Sequence, residues 1–163
     1  VRIRQATQAD WAAIWPLWHR VVSAGETYMW APDTDQGSAE AAWMLPPPAA
    51  VFVAEDDGGI VGTAQLKPNQ PGRGDHIANA AFMVDPDRPG EGIGRTLAHH
   101  VLSAARSRRY RAMQFNAVVA TNVVAIGLWE SLGFTIVGTV PGAFRHPTDG
   151  FVDIHVMYRL LVP

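Results

Sequence analysis

VDPDRPGEGIGRTL, residues 84–97, is the stretch on which the reading of this chain turns. Phe82-Met83-Val84 leads into it like the end of a strand, and glycines at 90, 92 and 94 make it flexible. Ile93, Leu97, Val101 and Ala104/Ala105 then recur at helical spacing, which predicts a helix to about Arg109. A glycine-rich junction between strand and helix suits anions, because the first N–H groups of a helix lack partners and its dipole is positive there. The spacing is Gly-x-Gly-x-Gly, not the Gly-x-Gly-x-x-Gly of dinucleotide sites, and no P-loop lysine follows. Alone, the stretch fits a phosphate cradle and a plain turn equally well.

On the N-terminal side, Val1 to Gln5 alternates like a short strand, and Asp10 can cap a helix from Trp11 to Ala24 that Gly25 ends. After the polar and aromatic stretch GETYMWAPDTDQG, Ser38 is expected to cap a second helix through about Leu45, stopped by Pro46-Pro47-Pro48. Val51–Glu55 and Ile60–Leu66 flank Asp56-Asp57-Gly58-Gly59, a hairpin signal, and residues 76–84 read as a third paired strand. On the C-terminal side, Met113–Val119 alternates as a strand, and Asn122 opens a short helix that Gly133 stops. Phe134–Val140 and Val152–Leu161 are the last strands, with Arg145 and His146 in the loop between them. The order β-α-α-β-β-β-α-β-α-β-β predicts one domain over residues 1–163, a mixed α/β fold with a central sheet of about seven strands and helices on both faces.

Composition bounds the function. With 163 residues, 48% of them hydrophobic and 17% charged, the chain can bury a sizeable core. A net charge of −2 and pI near 6.3 disfavour general nucleic-acid binding. The absence of cysteine rules out disulfides, a thiolate zinc site and a thiol acyl-enzyme. His99 and His100 point about 100° apart on a helix and make no metal pair, so no metal is expected. No apolar run reaches the roughly 18 residues of a membrane span, and a cytoplasmic protein is the default expectation.

A second segment resolves the first. Asn122-Val-Val-Ala125-Ile-Gly-Leu128-Trp129-Glu130-Ser-Leu-Gly133-Phe134 resembles the N-x-x-A-x-x-L-Y-x-x-x-G-F motif of the GNAT N-acetyltransferase superfamily. VDPDRPGEGIGRTL resembles that superfamily's coenzyme loop, V-x-P-x-x-[QR]-G-x-G-x-G, and the two stand in family order with a strand between them. The resemblance implies that Arg88, Gly90, Glu91, Gly92, Ile93, Gly94 and Arg95 hold the pyrophosphate of acetyl-coenzyme A. It implies that the pantetheine arm lies along Phe82, Met83 and Val84 like an added strand, and that Asn122 contacts it. Read without the family, Asn122 is a helix N-cap. A backbone N–H of the same strand would stabilise the oxyanion formed from the thioester. The family often dimerises, which keeps a homodimer open.

The sequence departs from the pattern twice. Pro89 stands at the family's Gln or Arg position and lacks an N–H, and Glu91 adds a carboxylate beside the expected anion. Arg88 and Arg95 are expected to compensate. Trp129 replaces the tyrosine that often protonates the leaving thiolate, and an indole N–H cannot do so; Tyr28 and Tyr158 are the candidate substitutes. Glu26 and His76 are the candidate bases for the acceptor amine. Tyr28, Asn79, Asn116 and Arg145 are candidate acceptor contacts, with Gln114 on the face of Asn116; Arg145 could pair with a carboxylate. GETYMWAPDTDQGSAEAAW loosely resembles phosphinothricin-type and amino-acid acetyltransferases, which implies a small amine bearing a carboxylate as acceptor. The alternatives are a protein N-acetyltransferase and a coenzyme A-binding regulatory domain without turnover.

Overall fold

Alternating apolar residues form seven strands: β1 (Arg2–Gln5), β2 (Ala50–Asp56), β3 (Gly59–Pro68), β4 (Ile77–Val84), β5 (Ala112–Val119), β6 (Thr135–His146) and β7 (Gly150–Leu160). Four helices intervene: α1 (Trp11–Ala24), α2 (Gln36–Trp43), α3 (Ile93–Ser107) and α4 (Val123–Ser131). The computed structural model describes residues 1–163 and joins all seven strands in one mixed sheet, ordered β1-β2-β3-β4-β5-β7-β6. Every pairing is antiparallel except that of β4 with β5. No helix is long and apolar enough to cross a membrane.

The period-two pattern sorts side chains between two faces. Ala50, Phe52 and Ala54 of β2, with Ala78 and Ala80 of β4, meet Ile93, Leu97, Val101 and Leu102 of α3 and Trp129 of α4. Each large side chain buried on that face contributes about 1.5–3 kcal/mol. Val51, Val53 and Met83 point the other way, onto Trp11, Ile14, Trp18 and Val22 of α1 and Trp43 of α2. Buried polar groups dock α2: Trp43 Nε1 donates to Thr63 Oγ1 at 3.1 Å, and Gln65 Nε2 donates to the carbonyls of Trp43 at 2.6 Å and Ala42 at 3.0 Å.

Three boundaries differ from expectation. Asp35, not Ser38, caps α2: its Oδ1 accepts the Ser38 N–H at 2.9 Å and its Oδ2 the Ser38 hydroxyl at 2.8 Å. Ser38 stands at the third helical position, in the first turn, where its N–H is free to bond the cap side chain three residues earlier. α3 ends at Ser107, with Arg109 left-handed at φ 64°. β6 runs on to His146, so Arg145 and His146 belong to a strand rather than a loop. A register shift between Val140 and Phe144 absorbs Pro141 and Gly142 within that edge strand.

Candidate active site

The site begins where the sheet opens. β4 and β5 pair only at Ile77 with Ala112 and Ala78 with Met113. From Ala80 to Val84 the edge of β4 turned away from β3 has no partner in β5. The opening is about 16 Å long at about 3.3 Å per residue. Its floor, on the α3–α4 face, is aromatic: the Trp129 ring lies 4.9 Å from Phe82 and 4.7 Å from Phe115, between ring centroids. Trp129 is 8% exposed and packed against both rings.

At the wide end of the opening, the 84–97 stretch becomes a cradle. Gly90 (φ 79°) and Gly92 (φ 73°) are left-handed, a conformation that L side chains rarely adopt, and they turn successive amides the same way. None of the backbone N–H groups from Gly90 to Arg95 donates to a protein acceptor, whereas Thr96 N–H closes the first helical bond onto the Gly92 carbonyl at 3.0 Å. Six adjacent unpartnered donors at a helix N-terminus fit a multiply charged anion such as a pyrophosphate.

The charges around the cradle are arranged otherwise than expected. Arg88 is tied to protein carboxylates: Nε donates to Glu91 Oε2 at 2.9 Å, Nη2 pairs with Glu91, and Nη1 pairs with Asp56 of β2. The guanidinium holds the Glu91 and Asp56 carboxyls below their usual range, and those carboxylates, Glu91 first, push the arginine upward. Arg95 carries the free positive charge; its Nη2 donates to Ser131 Oγ at 3.0 Å and it has no carboxylate partner.

The remaining candidates fall in separate places. Glu26, Asn122 and His146 line one polar cleft of about 220 Å³ together with Thr27, Thr121 and Asp149. The Asn122 side-chain Oδ1 caps α4 by accepting from Ala125 N–H at 3.3 Å, which leaves the side-chain NH2 group without a protein partner. His146 Nδ1 lies 3.6 Å from the Asp149 carboxylate, but it also accepts the N–H groups of Thr148 at 3.3 Å and Asp149 at 3.2 Å. Those bonds assign the proton of the neutral ring to Nε2, making it a donor toward a ligand.

Asn79, Gln114, Asn116 and Tyr158 share the face of the sheet on the α1–α2 side. Asn79 Nδ2 donates to the Gln114 carbonyl at 2.9 Å, Gln114 to Asn116 at 3.0 Å, and Asn116 to Asn69 at 2.7 Å. Tyr158 pairs across strands with Gln114. His76 stands apart, exposed at the closed end of the opening and about 20 Å along β4 from Phe82. Arg145 is exposed on β6, 5.8 Å above the Phe151 ring. Tyr28 reaches the free edge of β4 itself: Phe82 N–H donates to its hydroxyl at 3.0 Å, and the hydroxyl donates back to the Phe82 carbonyl.

Sequence reasoning missed Asp56 as a partner of Arg88 and Asp149 as part of the cleft. Asp149 sits in the turn between β6 and β7, and Asp56, the last residue of β2, accepts Gly58 N–H at 2.9 Å across the β2–β3 turn, so each aspartate has a local reason to occur. Thr121 had a signal, its adjacency to Asn122.

Comparison with known proteins places the chain in one family. Residues 11–134 match the acetyltransferase (GNAT) family. A GCN5-related N-acetyltransferase from Kribbella flavida superposes with a TM-score of 0.93 at 48% identity, covering 98% of this chain and 96% of that one. N-acetyltransferase aca1 of Schizosaccharomyces pombe is 41% identical over 98 residues, 60% of this chain and 47% of its own length. The L-amino acid N-acyltransferase MnaT of Escherichia coli is 28% identical over 143 residues, 85% of this chain and 82% of its own. The chain therefore spans less than half of the yeast relative and most of the bacterial one. It belongs to the GNAT acetyltransferase family.

Proposed function

We propose that this chain transfers an acetyl group from acetyl-coenzyme A to the primary amine of a small, amino-acid-like acceptor by direct attack. The observation that carries the reading is the set of six unpartnered amides, Gly90 to Arg95, at the wide end of the β4–β5 opening. Pyrophosphate on those amides directs the pantetheine arm along the free edge of β4. Phe82 directs its N–H into the opening, where it can take charge developing on the thioester oxygen; a donor fixed in advance needs no reorganisation during reaction. The acceptor enters through the polar cleft, where Glu26 takes the proton that the amine gives up and His146 Nε2 and the Asn122 amide donate to acceptor oxygens. Trp129 offers no acid, and none is required: a thiol with pKa near about 8.5 leaves readily, with water supplying its proton.

The similarity to MnaT and the cleft's size favour a small acceptor. Its two carboxylates, Glu26 and Asp149, and the absence of an arginine favour recognition of the ammonium end. This moves Arg145 out of the carboxylate-binding role that its sequence position suggested. Thiol release from acetyl-coenzyme A in the presence of a panel of amines tests the proposal. Turnover with free amino acids or small amines is expected. Turnover only with peptides would favour a protein acceptor, and tight binding without any turnover would favour a coenzyme-binding domain.

A further inference from the structure

Tyr28 holds the one N–H group on which the proposed chemistry depends. Its hydroxyl accepts from Phe82 N–H at 3.0 Å and donates to the carbonyl of the same residue, filling a rung of β4 left empty by β5. The ring is fixed as well: Tyr28 stacks on Trp30 with centroids 5.4 Å apart and planes at 24°, and Trp30 packs on Trp18 at 5.4 Å and Trp43 at 6.0 Å. Burial pushes the phenol up, offset in part by the Phe82 hydrogen bond, so the hydroxyl stays neutral and able to donate. Tyr28 also stands two residues from Glu26, on the loop that walls the acceptor cleft.

A thioester oxygen accepts but cannot donate. It can replace the hydroxyl at Phe82 N–H, but it cannot also satisfy the Phe82 carbonyl, and the two oxygens cannot occupy one position. We propose that Tyr28 is a positioning and specificity-determining residue for the acyl donor: its hydroxyl occupies Phe82 N–H in the free protein and is displaced by the thioester carbonyl. Acetyl-coenzyme A then shifts the Tyr28–Trp30 segment beside the acceptor cleft, whereas coenzyme A, which has a thiol and no carbonyl, leaves it in place. Donor binding is thereby coupled to opening of the acceptor side. The inference rests on the reading of β4 as the seat of the acyl-pantetheine arm.

Calorimetric titration of wild-type protein and Tyr28→Phe with acetyl-coenzyme A and with coenzyme A tests it, since phenylalanine keeps the stacked ring. The substitution should leave the coenzyme A Kd within about twofold and lower that of acetyl-coenzyme A about three- to tenfold, because the acyl oxygen no longer competes with a hydroxyl. An unchanged ratio of the two dissociation constants, or weaker acetyl-coenzyme A binding, overturns the proposal. Tryptophan fluorescence of the wild-type protein gives an answer independent of the variant's folding. Both ligands lay the pantetheine arm over Trp129, so acetyl-coenzyme A should change the emission by more than coenzyme A does, whereas equal responses overturn displacement. Failure of the wild-type protein to bind either ligand overturns the cradle reading, and this inference with it.

Discussion

Glu91 is the residue at which two demands on the cradle meet. Its carboxylate suits an empty helix N-terminus and holds Arg88, yet it opposes a bound pyrophosphate. Glu91→Arg removes the opposing charge and leaves Arg88 to Asp56; coenzyme A should bind about three- to tenfold tighter at low salt. Unchanged or weaker binding in a titration would contradict this. Glu26→Gln is expected to lower kcat/KM and to flatten its pH profile, since glutamine cannot accept the amine proton. A profile of unchanged shape would assign the proton to another group. Such roles were only partly legible in the sequence. The Arg88–Glu91 spacing was visible, but Asp56 lies 32 positions away and Tyr28 is 54 positions from Phe82. Contacts at that separation exist only once the sheet is formed.

Among the elements, α2 depends most on a few polar side chains. It is eight residues long and buries only Ala39 and Trp43, too little to hold it by packing alone. Gln65 Nε2 satisfies two carbonyls at its C-terminal end, and Gln65 is 2% exposed. Gln65→Leu leaves those carbonyls without the donor and should cost about 1–3 kcal/mol, read as a lower Tm in thermal unfolding; an unchanged Tm would show that α2 is held by its apolar contacts. Most elements were legible because their periodicity matches their burial, as in α3, where Ile93, Leu97, Val101 and Ala105 all face the core. Boundaries were less so. Pro141 and Gly142 read as the end of a strand, but an edge strand tolerates both when a bulge takes up the extra residues. Asp35 and Ser38 are equally good cap residues, and only the structure shows which one precedes the helix.

At the scale of the whole molecule, the N-terminal strand is locked to the sheet by an ion-pair cluster. Arg4 bonds Asp10 at 2.8 and 2.9 Å and Glu55 of β2 at 3.0 Å, while Asp10 also accepts Thr7 N–H at 2.7 Å. The Arg4 guanidinium, more than any other group, holds the Asp10 carboxyl well below its usual range. A depressed carboxyl contributes its full stabilisation above the unfolded value of about 3.9 and loses it as pH falls toward the folded one. The protein should therefore lose Tm below about pH 4, and Asp10→Asn should lower Tm at neutral pH and flatten that acid limb. Equal acid sensitivity in the two proteins would remove Asp10 as a cause.

The parallel contact of β4 with β5 lasts two residues, and that brevity creates both the opening and the cradle at its wide end. The account stands on those amides receiving the coenzyme. Titration of isotopically labelled protein with acetyl-coenzyme A, followed through backbone amide resonances, tests this most directly. The amides of Gly90 to Arg95 and of Phe82 should shift saturably with a single Kd. Saturable binding that leaves the Gly90 to Arg95 amides unmoved would contradict it.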